Sequence, residues 1–176
     1  MGLAADLGYA HRAPNVFQRV VQAFGSTRPG AWFFSKTLRR LDDVIGRLTR
    51  GRTSGPELLA GLSVLDLTTT GRKSGTPRTS HLISVPIGDT LALLGTNFGQ
   101  AATPAWVLNL ESNPRATVSY RDSRIDVVAR PATEAEHAEV MASSASIYGG
   151  YAKYRQRITG RRVRIFVLEP ATAGGR

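Results

Sequence analysis

The chain holds 176 residues, 41% hydrophobic and 20% charged, the make-up of one soluble globular domain; it excludes disordered, collagen-like and coiled-coil chains. With 23 Lys or Arg against 13 Asp or Glu the net charge is +10, so an anionic partner is expected: nucleic acid, a membrane surface or a small polyanion. No cysteine is present, which excludes disulfides, a thiolate nucleophile and Cys-ligated metal, and leaves redox chemistry to a bound cofactor.

Met1–Ala10 carries Asp6 and no cation, and no apolar run follows it, so no export signal is expected and a cytoplasmic chain is. Between Trp32 and Leu48, apolar residues recur at Phe34, Leu38, Leu41, Ile45 and Leu48. That spacing predicts an amphipathic helix. Arg12–Arg52 holds nine cations against Asp42 and Asp43, so residues 1–61 read as a basic helical arm ending in the linker from Gly51 to Gly61.

After Gly61 the pattern changes to short strands over 62–70, 78–87 and 90–95, with a Gly88-Asp89 turn between the last two. Pro104–Ser112 reads as a short helix, and 116–120 with 125–130 as a hairpin. Thr133 and Glu136 have capping-box spacing and open a helix to about Ser146; 163–169 is a last strand and 171–176 a tail. About six strands with inserted helices predict a mostly antiparallel barrel or α+β sheet over residues 62–170.

Three segments carry chemistry. In Thr68–Arg78, Arg72, Lys73 and Arg78 surround Gly71, Gly75 and Ser74, with no acid between Asp66 and Asp89. Such a turn suits a phosphate, because glycine exposes backbone N–H groups and guanidinium binds oxyanions in pairs; it equally describes an exposed basic turn. A nucleotide P-loop is excluded, since Asp66 stands where its first glycine belongs. Gly95–Gln100 running into Pro104-Ala105-Trp106 offers N–H groups at a helix start with an indole beside them; burial of Trp106 is the competing reading. Tyr148, Tyr151 and Tyr154, spaced by three, either line a pocket or form a half-buried stripe with their hydroxyls in water. His11, His81 and His137 lack metal-ligand spacing, so no metal is expected.

Taken in order, Thr69–Gly75 with Pro77-Arg78, Asn97-Phe98-Gly99, Pro104-Ala105-Trp106, Asn109-Leu110, Asn113-Pro114, the three tyrosines and Val167–Pro170 resemble the actinobacterial deazaflavin (F420)-dependent nitroreductase family. The segment 32–61 is similar to its longer nitroreductase or quinone reductase subgroup. The resemblance implies a split β-barrel of the FMN-binding type and coenzyme F420, whose phosphodiester and glutamate tail call for cations. It places Arg72, Lys73, Ser74 and Arg78 on the phosphate and tail, His81 and Ile83 beside the deazaflavin, and Thr96, Asn97, Ala105 and Trp106 at its ring side and loop.

The three tyrosines fall in the family's substrate pocket, and Tyr151, supported by Tyr148, Tyr154 and Thr96, is expected to polarise the acceptor or relay a proton. The implied reaction is hydride transfer from reduced F420 to a quinone, enone or nitroaromatic. Thr96 replaces a common serine, Asn97 a common lysine and His81 a common proline. The alternatives are a non-catalytic F420 carrier or a related FMN or haem binder, and then a nucleic-acid module, disfavoured because the strands lack interleaved basic and aromatic residues. The 32–48 helix is expected either to pack on the barrel or a second subunit, as in a homodimer, or to touch the inner membrane face peripherally.

Overall fold

A computed structural model describes residues 2–11, 15–27, 29, 30, 32 and 61–171; the 32–48 helix expected from the sequence lies outside them, apart from Trp32. Seven strands form one antiparallel sheet: β1 (Leu65–Thr70), β2 (Pro77–Leu82), β3 (Ser84–Ile87), β4 (Thr90–Leu94), β5 (Arg115–Tyr120), β6 (Ser123–Pro131) and β7 (Ile165–Pro170), in the order β2-β1-β5-β6-β7-β4-β3. The single strand expected over 78–87 is two strands, because the chain breaks at Ile83.

That break dictates the architecture. β2 and β3 occupy opposite edges of the sheet, yet only Ile83 separates them in the chain. The sheet must therefore curl until its edges meet, giving the split barrel. Leu82 pairs with Leu65 at one edge and Ser84 with Leu93 at the other. The two edges meet at this corner without a ladder between β2 and β3.

Alternation along the strands sorts side chains into two cores. Leu65 and Leu67 of β1, Leu91 and Leu93 of β4, and Phe166 and Leu168 of β7 face the barrel cluster. Ala92, Leu94, Ile165 and Val167 face the second cluster, under α4 (Glu134–Ile147) and α5 (Gly150–Arg157). Both faces of β4 and β7 are thus covered. The hairpin turns carry the residues they need: Gly75 and Gly88 have φ of 66° and 49°, which a side chain disfavours. The Thr133–Glu136 capping box forms as expected. The Arg130 guanidinium beside Glu136, with bonds from Thr133, holds that carboxyl down at about 2, and Arg130 also reaches Glu169 of β7.

The described part of the expected arm lies against the barrel. α1 (Leu3–Leu7) packs on β4, β6 and β7 and buries Leu3 and Leu7 in the barrel cluster. The Tyr9 hydroxyl donates to the Ser63 carbonyl at 2.7 Å and accepts from the Ser84 N–H at 3.0 Å. His11 Nε2 donates to the Ser84 carbonyl at 2.8 Å, and burial lowers its pKa, favouring the neutral ring. α2 (Val16–Gly25) opens on a capping box made by Asn15 and Gln18. α3 (Ala105–Ser112) begins after Pro104 and buries Trp106, Val107 and Leu110 against the barrel.

Because Leu7 is buried among barrel strands, Leu7→Ala should lower the unfolding free energy by about 2–5 kcal/mol, the range for a core leucine. Urea denaturation checks this, and a single transition with that loss marks the first ten residues as part of the barrel's folding unit.

Candidate functional site

A cavity of about 300 Å³ opens between α2, the barrel seam, the segment after β4 and the tyrosine helix. Of the expected site residues, His81, Ile83, Thr96, Asn97, Ala105, Trp106, Tyr148, Tyr151 and Tyr154 all line it. Its remaining lining is largely apolar, and among the described residues neither Asp nor Glu lines it. Arg72, Lys73, Ser74 and Arg78 do not line it.

The tyrosines converge, though not on one helical face. Tyr148 ends α4 in an extended conformation, while Tyr151 and Tyr154 belong to α5. Gly150 permits the turn between them: a Cβ there would meet the Tyr148 ring at 2.3 Å. The rings stack edge-to-face, Tyr148 lying 5.6 Å from Tyr151 and 5.9 Å from Tyr154. Their hydroxyls are not in water. Tyr151 donates to the Ile83 carbonyl at 3.1 Å, Tyr154 to the Gly25 carbonyl at 2.9 Å, and Tyr148 shares a 3.0 Å bond with Tyr154. Tyr151 thus satisfies the backbone carbonyl at the residue where the strand breaks.

Thr96 differs from them. It is 7% exposed, lines the cavity and makes no capping bond with its side chain. It precedes a tight turn, Asn97–Gly99, in which Asn97, Phe98 and Gly99 have φ of 48°, 55° and 80°. Phe98 in the left-handed region costs on the order of 1–2 kcal/mol, whereas Asn97 adopts it readily. Trp106 is buried in the core, 6.2 Å edge-to-face from Phe166, and also lines the cavity.

The basic turn lies up the same strand. Arg72, Lys73, Ser74 and Arg78 are exposed. β2 runs from Arg78 to the cavity residues Ser80, His81 and Leu82, about 10 Å at ~3.3 Å per residue. α3 anchors the turn: Asn109 accepts from the Arg72 N–H at 3.1 Å and donates to Thr69 Oγ1 at 3.0 Å. His81 Nδ1 donates to Asp66 Oδ1 at 2.6 Å across the β1–β2 pair. An apolar slot joined by an extended strand to three exposed cations suits an elongated ligand with a flat ring at one end and anionic groups at the other.

Sequence reasoning missed α2, which supplies Val21, Gln22 and Gly25 to the cavity, and the ring of Phe98. The signal for α2 was present: Asn15 and Gln18 at capping-box spacing, then Phe17, Val20, Val21 and Phe24 at helical intervals.

The profile of the F420H2-dependent quinone reductase family matches residues 38–170. An F420H2-dependent quinone reductase of Mycobacterium tuberculosis is 35% identical over 94 residues, which cover 53% of this chain and 62% of the relative; the match thus spans less than two thirds of that relative's length. Among solved structures, an F420H2-dependent reductase (FDR-A) is 29% identical, with a TM-score of 0.55 over 61% of this chain and 94% of its own. A structure described as a domain-swapped dimer is 25% identical, with a TM-score of 0.57 over 80% of this chain and 99% of its own.

Burial pushes the phenols of Tyr148, Tyr151 and Tyr154 above their ordinary pKa. A phenolate-band titration should leave these three protonated near pH 10, where a solvated tyrosine ionises. The unfolded chain releases these protons first, so their contribution to stability is complete below about pH 10 and is lost as pH rises beyond it.

Proposed function

The chain belongs to the F420H2-dependent quinone reductase family, and on that premise we propose that it is an oxidoreductase that uses F420H2 to reduce a quinone, enone or nitroaromatic. The observation that carries this reading is the path from the exposed cations Arg72, Lys73 and Arg78 along β2 to the cavity, which is largely apolar and lined by no carboxylate among the described residues. A phosphodiester with a glutamate tail is complementary to the first and a deazaflavin ring to the second. The bound coenzyme supplies a hydride.

The chain's own residues bind and orient. Arg72, Lys73 and Arg78 hold the anionic groups, with Ser74 shaping the turn; Ile83, Ala105 and Trp106 form ring-side walls, with His81 and Asn97 at the polar edge. The acceptor lies against Tyr148, Tyr151 and Tyr154, which exclude water. Thr96, whose hydroxyl makes no capping bond, orients the acceptor oxygen. Tyr151 serves less well as the polarising donor, since its proton is committed to the Ile83 carbonyl and burial makes it a weaker acid.

Among the described residues no helix is long and apolar enough to cross a membrane. Phe17 and Val20 of α2 are 62% and 63% exposed, on the helix that lines the cavity mouth. Their exposure supports a peripheral contact through which a lipid-soluble quinone would arrive, at the inner face of the cell membrane. A homodimer is the other partner reading, in keeping with the structural relative described as a domain-swapped dimer.

The deciding experiment is titration of F420 followed by Trp and Tyr fluorescence, then turnover with quinone acceptors; binding without turnover leaves a carrier. Lys73→Ala or Arg78→Ala should weaken F420 binding by about 1–3 kcal/mol, the worth of a charge-assisted contact, with folding unchanged. Thr96→Val, which keeps the shape and removes the hydroxyl, should lower kcat/KM about tenfold at unchanged F420 affinity. Vesicle sedimentation tests the membrane contact: Phe17→Ser/Val20→Ser should partition less than the parent chain onto anionic vesicles.

A further inference from the structure

Asn97, Phe98 and Gly99 have positive φ in succession; Asn and Gly adopt that region readily, and Phe98 is the residue of the turn that does not favour it. A side chain in the left-handed region crowds its following carbonyl. Such a turn persists when surrounding structure over-determines it. Within the segment, Gly99 N–H donates to the Thr96 carbonyl, Gln100 N–H to that of Asn97, and Asn97 Nδ2 to that of Ala102. These close the turn locally, and carbonyls on either side of it can still accept, that of Thr96 through its second lone pair.

Those carbonyls meet one guanidinium. Arg161 lies between α5 and β7, after Gly160 with its φ of 75°. Its Nη1 donates to the Gly95 carbonyl at 2.9 Å, Nη2 to Thr96 at 3.2 Å and Gln100 at 3.0 Å, and Nε to Ala101 at 3.0 Å. Two acceptors precede the left-handed run and two follow it, so the planar fork staples its ends together. Lysine offers three donors from a single point and cannot reproduce this spread. On the opposite side, a Cβ at Gly99 would stand 3.2 Å from the Tyr154 backbone, and the Phe98 ring lies 6.1 Å edge-on from Tyr154.

We propose that Arg161 is the positioning residue that holds the Asn97–Gly99 turn in its left-handed form, and through it the cavity wall made by Thr96, Asn97 and Phe98. Arg161 does not line the cavity and acts entirely through backbone carbonyls. Without it the turn relaxes toward right-handed conformations, Phe98 leaves Tyr154, and the Thr96 hydroxyl loses its aim. The effect on catalysis rests on the hydride-transfer reading; the effect on the turn does not.

The test uses full-length Arg161→Gln, Arg161→Lys and Arg161→Ala. In the glutamine and lysine variants, amide hydrogen exchange over 95–101 should accelerate about tenfold or more while β-strand amides stay protected, the mark of local rather than global opening. With F420H2 and a soluble quinone, KM for the quinone should rise about tenfold with kcat changed far less, because ground-state and transition-state binding are lost together. Added methylguanidinium should restore both readouts in Arg161→Ala, which a generally weakened fold would not show. Wild-type exchange over 95–101 in folded variants overturns the proposal, as does a failure of methylguanidinium to restore protection. If the parent chain neither binds F420 nor reduces quinones, the functional reading falls, and the exchange measurement still decides the role of Arg161. If Arg161→Gln does not fold, Arg161→Lys and the rescued Arg161→Ala carry the same comparison.

Discussion

One residue, Ile83, is all that separates the two edge strands of the sheet. This is the constraint on which the rest depends. It forces the sheet to curl, and it leaves backbone groups at 83 and 84 that ladder pairing does not fully satisfy. Side chains from both ends of the chain supply the partners: Tyr151 bonds the Ile83 carbonyl, Tyr9 receives the Ser84 N–H, and His11 reaches the Ser84 carbonyl. Buried backbone groups left unpaired would each be costly, so the seam is satisfied with the tyrosine helix and the N-terminal segment in place. The cavity opens beside this seam, because the strand break is where helices, rather than another strand, complete the wall.

Charge and apolar surface are kept apart along the site. Repulsion among Arg72, Lys73 and Arg78 is eased by water at an exposed turn, whereas inside the cavity the same charges would suffer desolvation. β2 then acts as a rigid spacer between them. Asn109 binds the turn to α3, the helix that also presents Ala105 and Trp106 to the cavity, so the cationic turn and this side of the cavity share one support.

The tyrosine helix and α2 form the opposite wall. They are tied by Tyr154 to the Gly25 carbonyl, by Lys153 Nζ to Ser26 Oγ at 2.9 Å and by Arg157 to the Ser26 carbonyl at 2.6 Å. All three bonds fall at the C-terminal end of α2, where helix carbonyls lack intrahelical partners and attract positive charge. The wall is therefore built from helix-end polarity as much as from apolar packing.

Much of this was legible locally. The helix from Thr133, the short helix after Pro104, the Gly88 turn and the hairpin through residue 121 follow from capping, proline and turn chemistry within a few residues. The ordered motifs from Thr69 to Pro170 pointed to the family and to nine residues that do line one cavity. By itself the sequence determined element types, the cationic turn and the chemistry of the pocket walls, because periodicity, glycine placement and charge act at short range. Only the tertiary structure decided that 78–87 breaks at Ile83, that the tyrosine hydroxyls are spent on Ile83 and Gly25, and that Arg161 holds residues 95–101. Those partners lie 60 or more residues apart, as Tyr151 is 68 from Ile83 and Tyr154 129 from Gly25. No local pattern encodes which distant carbonyl a buried donor will meet; barrel closure makes that choice.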